Sequence, residues 1–205
     1  MKDMLDFLDR SPSRFHAVDN LCRELSGAGY EPLFEGRAWT LTPGGKYYAV
    51  RGGSALIAFR LPADPPRGFM ISASHSDAPT FRIKENAELA GPEGYLRLNT
   101  ERYGGMLCAP WLDRPLTVAG RVLVRAGDGI ETRLVYVDRD LLMIPNVAVH
   151  MNRAANDGFK YDPKCDMVPL MGLGTEKGAF RAVVAKYAGC EAEDILGMDL
   201  FLCPR

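Results

Sequence analysis

The stretch "GFMISASHSDAPTFRIK", residues 68–84, indicates both a fold class and a candidate chemistry. Its first part, residues 68–74, is an almost continuous apolar run, which is typical of a strand buried on both faces in a mainly parallel sheet. The run ends at a histidine followed two positions later by an aspartate, His75 and Asp77. The stretch therefore predicts a buried strand that presents two potentially reactive side chains at its end.

Two helices and a hairpin are predicted ahead of this stretch. Apolar residues recur at helical spacing in residues 2–9 and again from about residue 14 to residue 27. The segment "KYYAVRGGSALIAFRL", residues 46–61, has the pattern of two short strands joined at Gly52-Gly53, where a tight turn needs positive φ angles. Residues 1 to about 85 are thus predicted to form an α/β layer.

The second part of the chain has a different pattern. Alternating apolar and polar residues separated by glycines fill "PLTVAGRVLVRAG" (115–127) and "IETRLVYVDR" (130–139), which predicts a small β-rich module. The segment "EKGAFRAVVAKYAGC" (176–190) predicts one helix within it. We place the domain boundary near residue 88, with residues 1–88 as an α/β part and residues 89–205 as a β-rich domain.

Composition disfavours a nucleic-acid or membrane partner, although a localised basic patch stays possible. The 205 residues carry 25 basic and 26 acidic side chains, so the net charge of −1 does not favour a nucleic-acid partner. No apolar run approaches the ~20 residues that a membrane span needs. The five cysteines are scattered and form no Cys-x-x-Cys pair, which predicts free thiols and a cytoplasmic protein.

His75 and Asp77 leave two interpretations open. Residues i and i+2 of a strand face the same way, so a metal bound by His75 could be supported by Asp77, which would fix the ring orientation. On spacing alone, however, a histidine at the end of a strand is more often held by structural hydrogen bonds. A zinc site needs three or four protein ligands, and the other histidines are only His16 and His150. Further ligands would have to be carboxylates or lie outside this chain.

The other candidate residues favour structural roles when spacing alone is considered. His16 falls beside the apolar stripe of the second helix, and His150 falls in a half-apolar segment, so both are predicted to be packed histidines. Cys108 has no base at a recognisable spacing, which favours a buried thiol over a nucleophile. A cysteine hydrolase that uses Cys108 with His150 is the weakest functional hypothesis.

Several segments together resemble one family, the aspartyl aminopeptidases or M18 metallopeptidases. The resemblance covers essentially the whole chain, and its segments occur in the expected order: "FLDRSPSRFHAV" (7–18), "GGKYYAVRGGSALIAF" (44–59), "SASHSDAPTFRIK" (72–84), "YGGMLCAPWLDRPLTVAGRV" (103–122) and "IPNVAVHMNR" (144–153). It implies a partial α/β catalytic domain, with helices and a mainly parallel sheet, joined to a β-rich dimerisation domain.

The resemblance also implies roles for three residues. His75 would be a ligand of a two-zinc centre, and Asp77 would orient that histidine. His150 would reach the active site of a neighbouring subunit and help to stabilise the substrate carbonyl. The family enzymes form homodimers and dodecamers, and they remove N-terminal residues, often acidic ones, from peptides.

One departure from the family pattern limits this interpretation. The chain ends at "EDILGMDLFLCPR" (193–205), whereas the family's other metal ligands lie in a further half of the protein. The sequence therefore predicts a truncated aminopeptidase that does not fully bind two zinc ions and is inactive alone. It also predicts that residues 1–85 are loosely packed or self-associate along an unpaired strand edge. The alternative is a non-catalytic dimerisation or assembly protein derived from the family.

Overall fold

The computed structural model describes residues 2–65, 67–174 and 176–205. This part of the chain forms two compact units, the first ending at Ala78 and the second comprising Pro79–Arg205. Among the residues described, no helix has the length and apolar character required to cross a membrane.

The first unit contains two helices and a three-stranded sheet. Its elements are α1 (Lys2–Asp9), α2 (Arg14–Gly27), β1 (Glu31–Leu33), β2 (Lys46–Arg51) and β3 (Ala55–Arg60). In the sheet, β1 is parallel to β2, and β2 is antiparallel to β3. Both predicted helices and the predicted hairpin are confirmed. At the hairpin turn, Gly52 and Gly53 have φ angles of 59° and 68°, which favour glycine because other residues are strained there.

Helix α2 begins at a side-chain cap and contributes to a small core. Ser13 has extended backbone angles, and its hydroxyl accepts a hydrogen bond from the backbone N–H of His16. The buried apolar residues of this unit come from one face of the helix and from the middle of the sheet: Phe15, Val18, Tyr47, Tyr48 and Ala49.

The predicted buried strand over residues 68–74 is wrong. Residues 67–79 contain no strand, and the side chains of Phe69, Met70 and Ile71 are 89%, 103% and 86% exposed. A strand buried on both faces needs paired neighbours and covering layers, and the sheet of β1, β2 and β3 does not include this segment. The apolar run is present in the sequence, but none of the described residues of the first unit pairs with it as a strand.

The second unit contains a six-stranded sheet and one helix. Its elements are β4 (Thr80–Ala90), β5 (Tyr95–Tyr103), β6 (Leu116–Ala126), β7 (Gly129–Tyr136), β8 (Leu170–Leu173), α3 (Ala179–Ala188) and β9 (Ile195–Pro204). Short 3-10 helices span Pro92–Gly94, Ala109–Trp111 and Ala192–Asp194. The strand order is β7-β6-β9-β4-β5-β8, and every neighbouring pair is antiparallel. The expected mixed α/β fold with a β-rich second part is confirmed.

Helix α3 packs into one continuous core with this sheet. Phe180 and Val184 of the helix are fully buried in the same cluster as Val122 of β6 and Leu98 of β5. The carboxylate of Glu88 in β4 accepts hydrogen bonds from the backbone N–H groups of Gly178 and Phe180, each at 2.7 Å. Since the N-terminal N–H groups of a helix lack partners within the helix, this carboxylate fixes where α3 begins.

The units divide earlier than the sequence predicted. Residue 88, the predicted boundary, lies inside β4, whereas the two units separate between Ala78 and Pro79. The reason is that β4 pairs with β5 from Thr80 through Ala90, so that the whole strand belongs to the second sheet. The catalytic and dimerisation roles of the two parts remain predictions.

Candidate functional site

His75 and Asp77 lie next to each other at the end of the exposed apolar segment. The His75 Nδ1 atom is 2.7 Å from the backbone carbonyl oxygen of Asp77 and 3.3 Å from its carboxylate Oδ1. The side chain of His75 is 80% exposed and that of Asp77 is 33% exposed. The predicted proximity of the two residues is thus found, although it arises from a turn of the chain and not from a strand.

The partners of Nδ1 fix the tautomer of neutral His75. A carbonyl oxygen and an ionised carboxylate oxygen can only accept hydrogen bonds, so Nδ1 must carry the proton and donate it. The lone pair of the ring then resides on Nε2, which is the atom that a metal ion would bind. A histidine whose second nitrogen donates to a carbonyl or carboxylate is the usual arrangement of a metal-binding histidine.

The intervening serine holds this turn in place. The Ser76 hydroxyl donates a hydrogen bond of 2.8 Å to the backbone carbonyl oxygen of Ser54. Ser54 follows the glycine turn between β2 and β3, and its own N–H bonds to the carbonyl of Arg51 at 3.3 Å. The hairpin of the first unit therefore fixes the backbone that carries His75 and Asp77.

The donor set suits a zinc ion but supplies only part of a site. Imidazole nitrogen and carboxylate oxygen are both common zinc ligands, and a closed or catalytic site uses three or four protein ligands. Within the described ranges, no group of three or more His, Cys, Asp or Glu side chains is placed to hold a metal ion. His75 thus fits as one ligand, and further ligands are not brought to it by the described residues.

His150 belongs to the second unit and lies in an irregular segment. Residues 145–158 form turns without helix or strand, and nearly all of them are exposed. Two turn hydrogen bonds, from the N–H of Met151 to the carbonyl of Ala148 and from the N–H of Asn152 to that of Val149, shape the chain around His150. The prediction from spacing that His150 is packed is therefore wrong, because the half-apolar pattern lies in an exposed turn.

His16 and the cysteines take structural positions. The Ser13 hydroxyl is 2.8 Å from His16 Nδ1, and burial lowers the pKa of His16, an effect that Asp19 opposes and Arg23 reinforces. All five cysteines are free, as predicted. Cys108 packs against the core of the second unit. Burial raises the pKa of Cys203 to about 12, which makes that thiol unreactive near neutral pH.

One residue near His150 was missed by the sequence reasoning. Asp113 has a positive φ of 53°, and its carboxylate accepts a hydrogen bond of 2.8 Å from the backbone N–H of Asn146. The available signal was an aspartate in the turn-like "WLDRP" (111–115), since aspartate tolerates left-handed backbone angles better than most residues. Its partner is 33 positions away, however, and local patterns do not reveal such a distant contact.

Comparison with known families and sequences identifies relatives over nearly the whole chain. The family model described as "Aminopeptidase I zinc metalloprotease (M18)" matches residues 7–205. A probable M18 family aminopeptidase 2 from Clostridium acetobutylicum is 42% identical over 209 aligned positions, which cover 98% of this chain and 48% of that protein. The chain spans about half the length of the curated relatives that it matches.

Solved structures also match nearly the whole chain. The chain matches a protein in the structure described as "Cryo-EM structure of the Ape4 and Nbr1 complex" with a TM-score of 0.92 and 32% identity, covering 98% of this chain and 43% of the other. It matches "Structure of S. cerevesiae mApe1 dodecamer" with a TM-score of 0.83 and 27% identity, covering 99% of this chain and 47% of the other. Both comparisons extend over the two units.

Proposed function

The chain belongs to the M18 family of zinc metalloproteases, and from that premise we propose that it is the N-terminal, metal-binding part of an aminopeptidase. Its substrates would be peptides, from which the complete enzyme removes N-terminal residues, acidic ones in particular. One observation carries the proposal: the hydrogen bonds of His75 leave the Nε2 lone pair on an exposed ring, ready to bind zinc.

Three residues of this chain have roles in the proposed reaction. His75 would hold zinc through Nε2, and Asp77 keeps the ring oriented because its carbonyl oxygen accepts a hydrogen bond from Nδ1. His150 donates a hydrogen bond to the substrate carbonyl in a neighbouring subunit, where such a donor accelerates reactions by about 10²- to 10³-fold. When bound, a pair of zinc ions supplies an activated water and polarises the scissile carbonyl.

The rest of the site would come from outside these 205 residues. This part of the proposal is supported by the length of the relatives and by the lack of any group of three or more candidate ligands among the described residues. Activity would require that additional polypeptide, and the chain alone would be inactive. Assembly into homodimers and larger particles would use the second unit, as the dodecameric structural neighbour suggests. We also infer a cytoplasmic location from the five free thiols.

A second candidate function is a non-catalytic assembly protein. Two observations favour it. The second unit has a well-packed core, and the described residues of the first unit contain only part of a metal site. The encoding DNA distinguishes the two. A reading frame that continues past Arg205 into further acidic and histidine ligands supports the enzyme, whereas a stop codon followed by no such segment supports the assembly protein.

The metal-binding role can be tested on the chain itself. Zinc added to protein labelled with ¹⁵N-histidine should shift the Nε2 resonance of His75, while its Nδ1 keeps the proton. The variant His75→Asn should abolish that response and leave His150 as in the native chain. His150→Asn is the matched control, because it removes an exposed histidine that is not a proposed ligand.

The same titration contains the result that rejects the proposal. If zinc perturbs neither nitrogen of His75, or binds equally well to the His75→Asn variant, then His75 is not a ligand. The assignment of this chain as the metal-binding part of an aminopeptidase would then lose its support.

A further inference from the structure

Residues 145–158, here called the His150 arm, leave the second unit as an exposed turn-rich segment. The arm carries three apolar side chains with large exposed fractions, 55% for Val147, 52% for Val149 and 80% for Met151. Such a segment has little packing of its own to determine its direction. Its position must therefore be set where it joins the folded part of the unit.

The far end of the arm is held by aromatic packing. Phe159 follows the arm directly, and its ring meets that of Tyr161 edge to face at a centroid distance of 5.1 Å. Tyr161 in turn packs against the hydrophobic core. Both rings are half-buried, so this end is held by aromatic packing and not by a single polar contact.

The near end is held on both sides of Pro145 by one residue, Asp113. Before the proline, the backbone N–H of Asp113 donates a hydrogen bond of 2.9 Å to the carbonyl oxygen of the fully buried Ile144. After it, the carboxylate of Asp113 accepts a hydrogen bond of 2.8 Å from the N–H of Asn146. Because proline has no N–H to donate, the hydrogen bonds of the two flanking groups to Asp113 hold the backbone on either side of it.

The contact with Asn146 continues into the arm. The side-chain oxygen of Asn146 accepts a hydrogen bond of 2.9 Å from the N–H of Val147. Asp113, Asn146 and Val147 thus form a short series of hydrogen bonds that determines the direction in which the arm leaves. His150 lies three residues beyond its end.

The backbone of Asp113 is held in an uncommon conformation. Among the residues that the structure describes, Glu93 and Asp113 are the non-glycine residues with positive φ, at 52° and 53°. Such angles cost free energy and persist where the surrounding structure requires them, often next to functional segments. The conformation brings both the N–H and the carboxylate of Asp113 to the two sides of Pro145.

We propose that Asp113 is the positioning residue of the His150 arm: its carboxylate fixes the course of residues 146–147 and so the place to which His150 is presented. The catalytic use of His150 rests on the proposed function, but the anchoring by Asp113 does not. Asp113 itself contacts no substrate and acts through the arm.

Three variants separate the carboxylate from the backbone angle. Asp113→Asn keeps an acceptor oxygen and tolerates positive φ, whereas Asp113→Gly tolerates positive φ but has no acceptor. Glu93→Gly is the matched control, since it makes the same kind of change at the other described non-glycine residue with positive φ. Amide exchange is followed by NMR at Asn146 and Val147, with the amides of β6 and β9 as internal references.

We expect exchange at Asn146 and Val147 to be about tenfold faster in Asp113→Gly, as for the loss of one charged hydrogen bond. It should stay near native values in Asp113→Asn and Glu93→Gly, with β6 and β9 unchanged in all three. The proposal is overturned if exchange at Asn146 and Val147 is unchanged in Asp113→Gly, or if it accelerates equally in Glu93→Gly. It is also overturned if exchange there is as fast in Asp113→Asn as in Asp113→Gly, or if the amides of β6 and β9 lose protection as well. None of these outcomes depends on zinc or peptidase activity, so a failure of the proposed function would be recognised separately.

Discussion

The Nδ1 atoms of His16 and His75 face different kinds of partner. Nδ1 of His75 faces a carbonyl oxygen and must donate, whereas Nδ1 of His16 faces the Ser13 hydroxyl, which can either donate or accept. His75 is exposed on a turn, and His16 is half-buried at the start of α2. Burial lowers the pKa of His16 and so favours its neutral form in the folded protein.

The lowered pKa of His16 predicts how the stability of the fold depends on pH. The pKa of His16 in the folded protein lies below the unfolded value of about 6.5, so the unfolded chain binds a proton more readily. Stability should therefore fall as pH decreases below about 6.5, and His16 should contribute no pH dependence well above that value. In the variant His16→Gln, the urea midpoint should change less between pH 7.5 and pH 5.5 than in the native chain. An equally large change in both proteins would contradict this role of burial.

Sequence reasoning located the candidate site residues better than it explained them. His75 and Asp77 were predicted to be close because alternate residues of a strand share a face, but the contact runs through the Asp77 carbonyl in a turn. His150 was predicted to be packed because "VAVH" alternates like a half-buried strand, and the alternation carried no information about exposure. The role of Asp113 could not be predicted, because it depends on one hydrogen bond between distant segments.

At the scale of elements, local patterns were reliable where the partners of an element are close in sequence. Strands β6 and β7 were predicted from alternation, and each is the hairpin neighbour of the other. Helix α2 was predicted from its apolar spacing, and its cap lies directly before it. The apolar run of residues 68–74 failed as a strand because pairing in a sheet is a long-range property, and the described strands of the first unit supply no neighbour for it.

The exposed run should make the chain associate with itself. Phe69, Met70 and Ile71 are contiguous and largely exposed, and such a segment tends to pair with other chains. We expect the native chain to show concentration-dependent association in sedimentation velocity, and Met70→Lys combined with Ile71→Lys to reduce it. Because these side chains are exposed, the change in the free energy of unfolding should stay within about 0.5 kcal/mol.

A control distinguishes this segment from general hydrophobicity. Leu107 is an isolated side chain in the second unit with an exposed fraction of 79%, and Leu107→Lys should leave the association unchanged. A native chain that stays monomeric, or one whose association responds equally to Leu107→Lys, would show that the exposed run is not the contact.

At the scale of the molecule, the two units differ in how much core they bury. Among the residues described, the first unit buries a few apolar side chains around Phe15 and Tyr47, whereas the second has one cluster that extends from Phe81 to Leu202. The free energy that protects backbone amides from exchange follows such burial. The two units are therefore expected to open separately.

Native-state hydrogen exchange tests this difference. Amides of β6 and β9 should exchange most slowly, because they become accessible only when the whole second unit unfolds. Those of β2 and β3 should exchange faster. Low concentrations of urea should accelerate β2 and β3 first. If all four strands exchanged with the same free energy and the same dependence on urea, the chain would behave as a single cooperative body.

The position of β9 in the sheet has a consequence for synthesis on the ribosome. This strand, Ile195–Pro204, lies between β6 and β4 and, among the strands that the structure describes, it alone joins the β7-β6 pair to the β4-β5-β8 group. It is also the last of these strands to be translated. The β7-β6 pair and the β4-β5-β8 group therefore stay separate until β9 has been made. Until then, the edges of β6 and β4 that will pair with β9 are unpaired. During that interval, the unpaired strand edges are expected to be exposed to pairing with other nascent chains, and rapid synthesis of β9 would shorten this exposure.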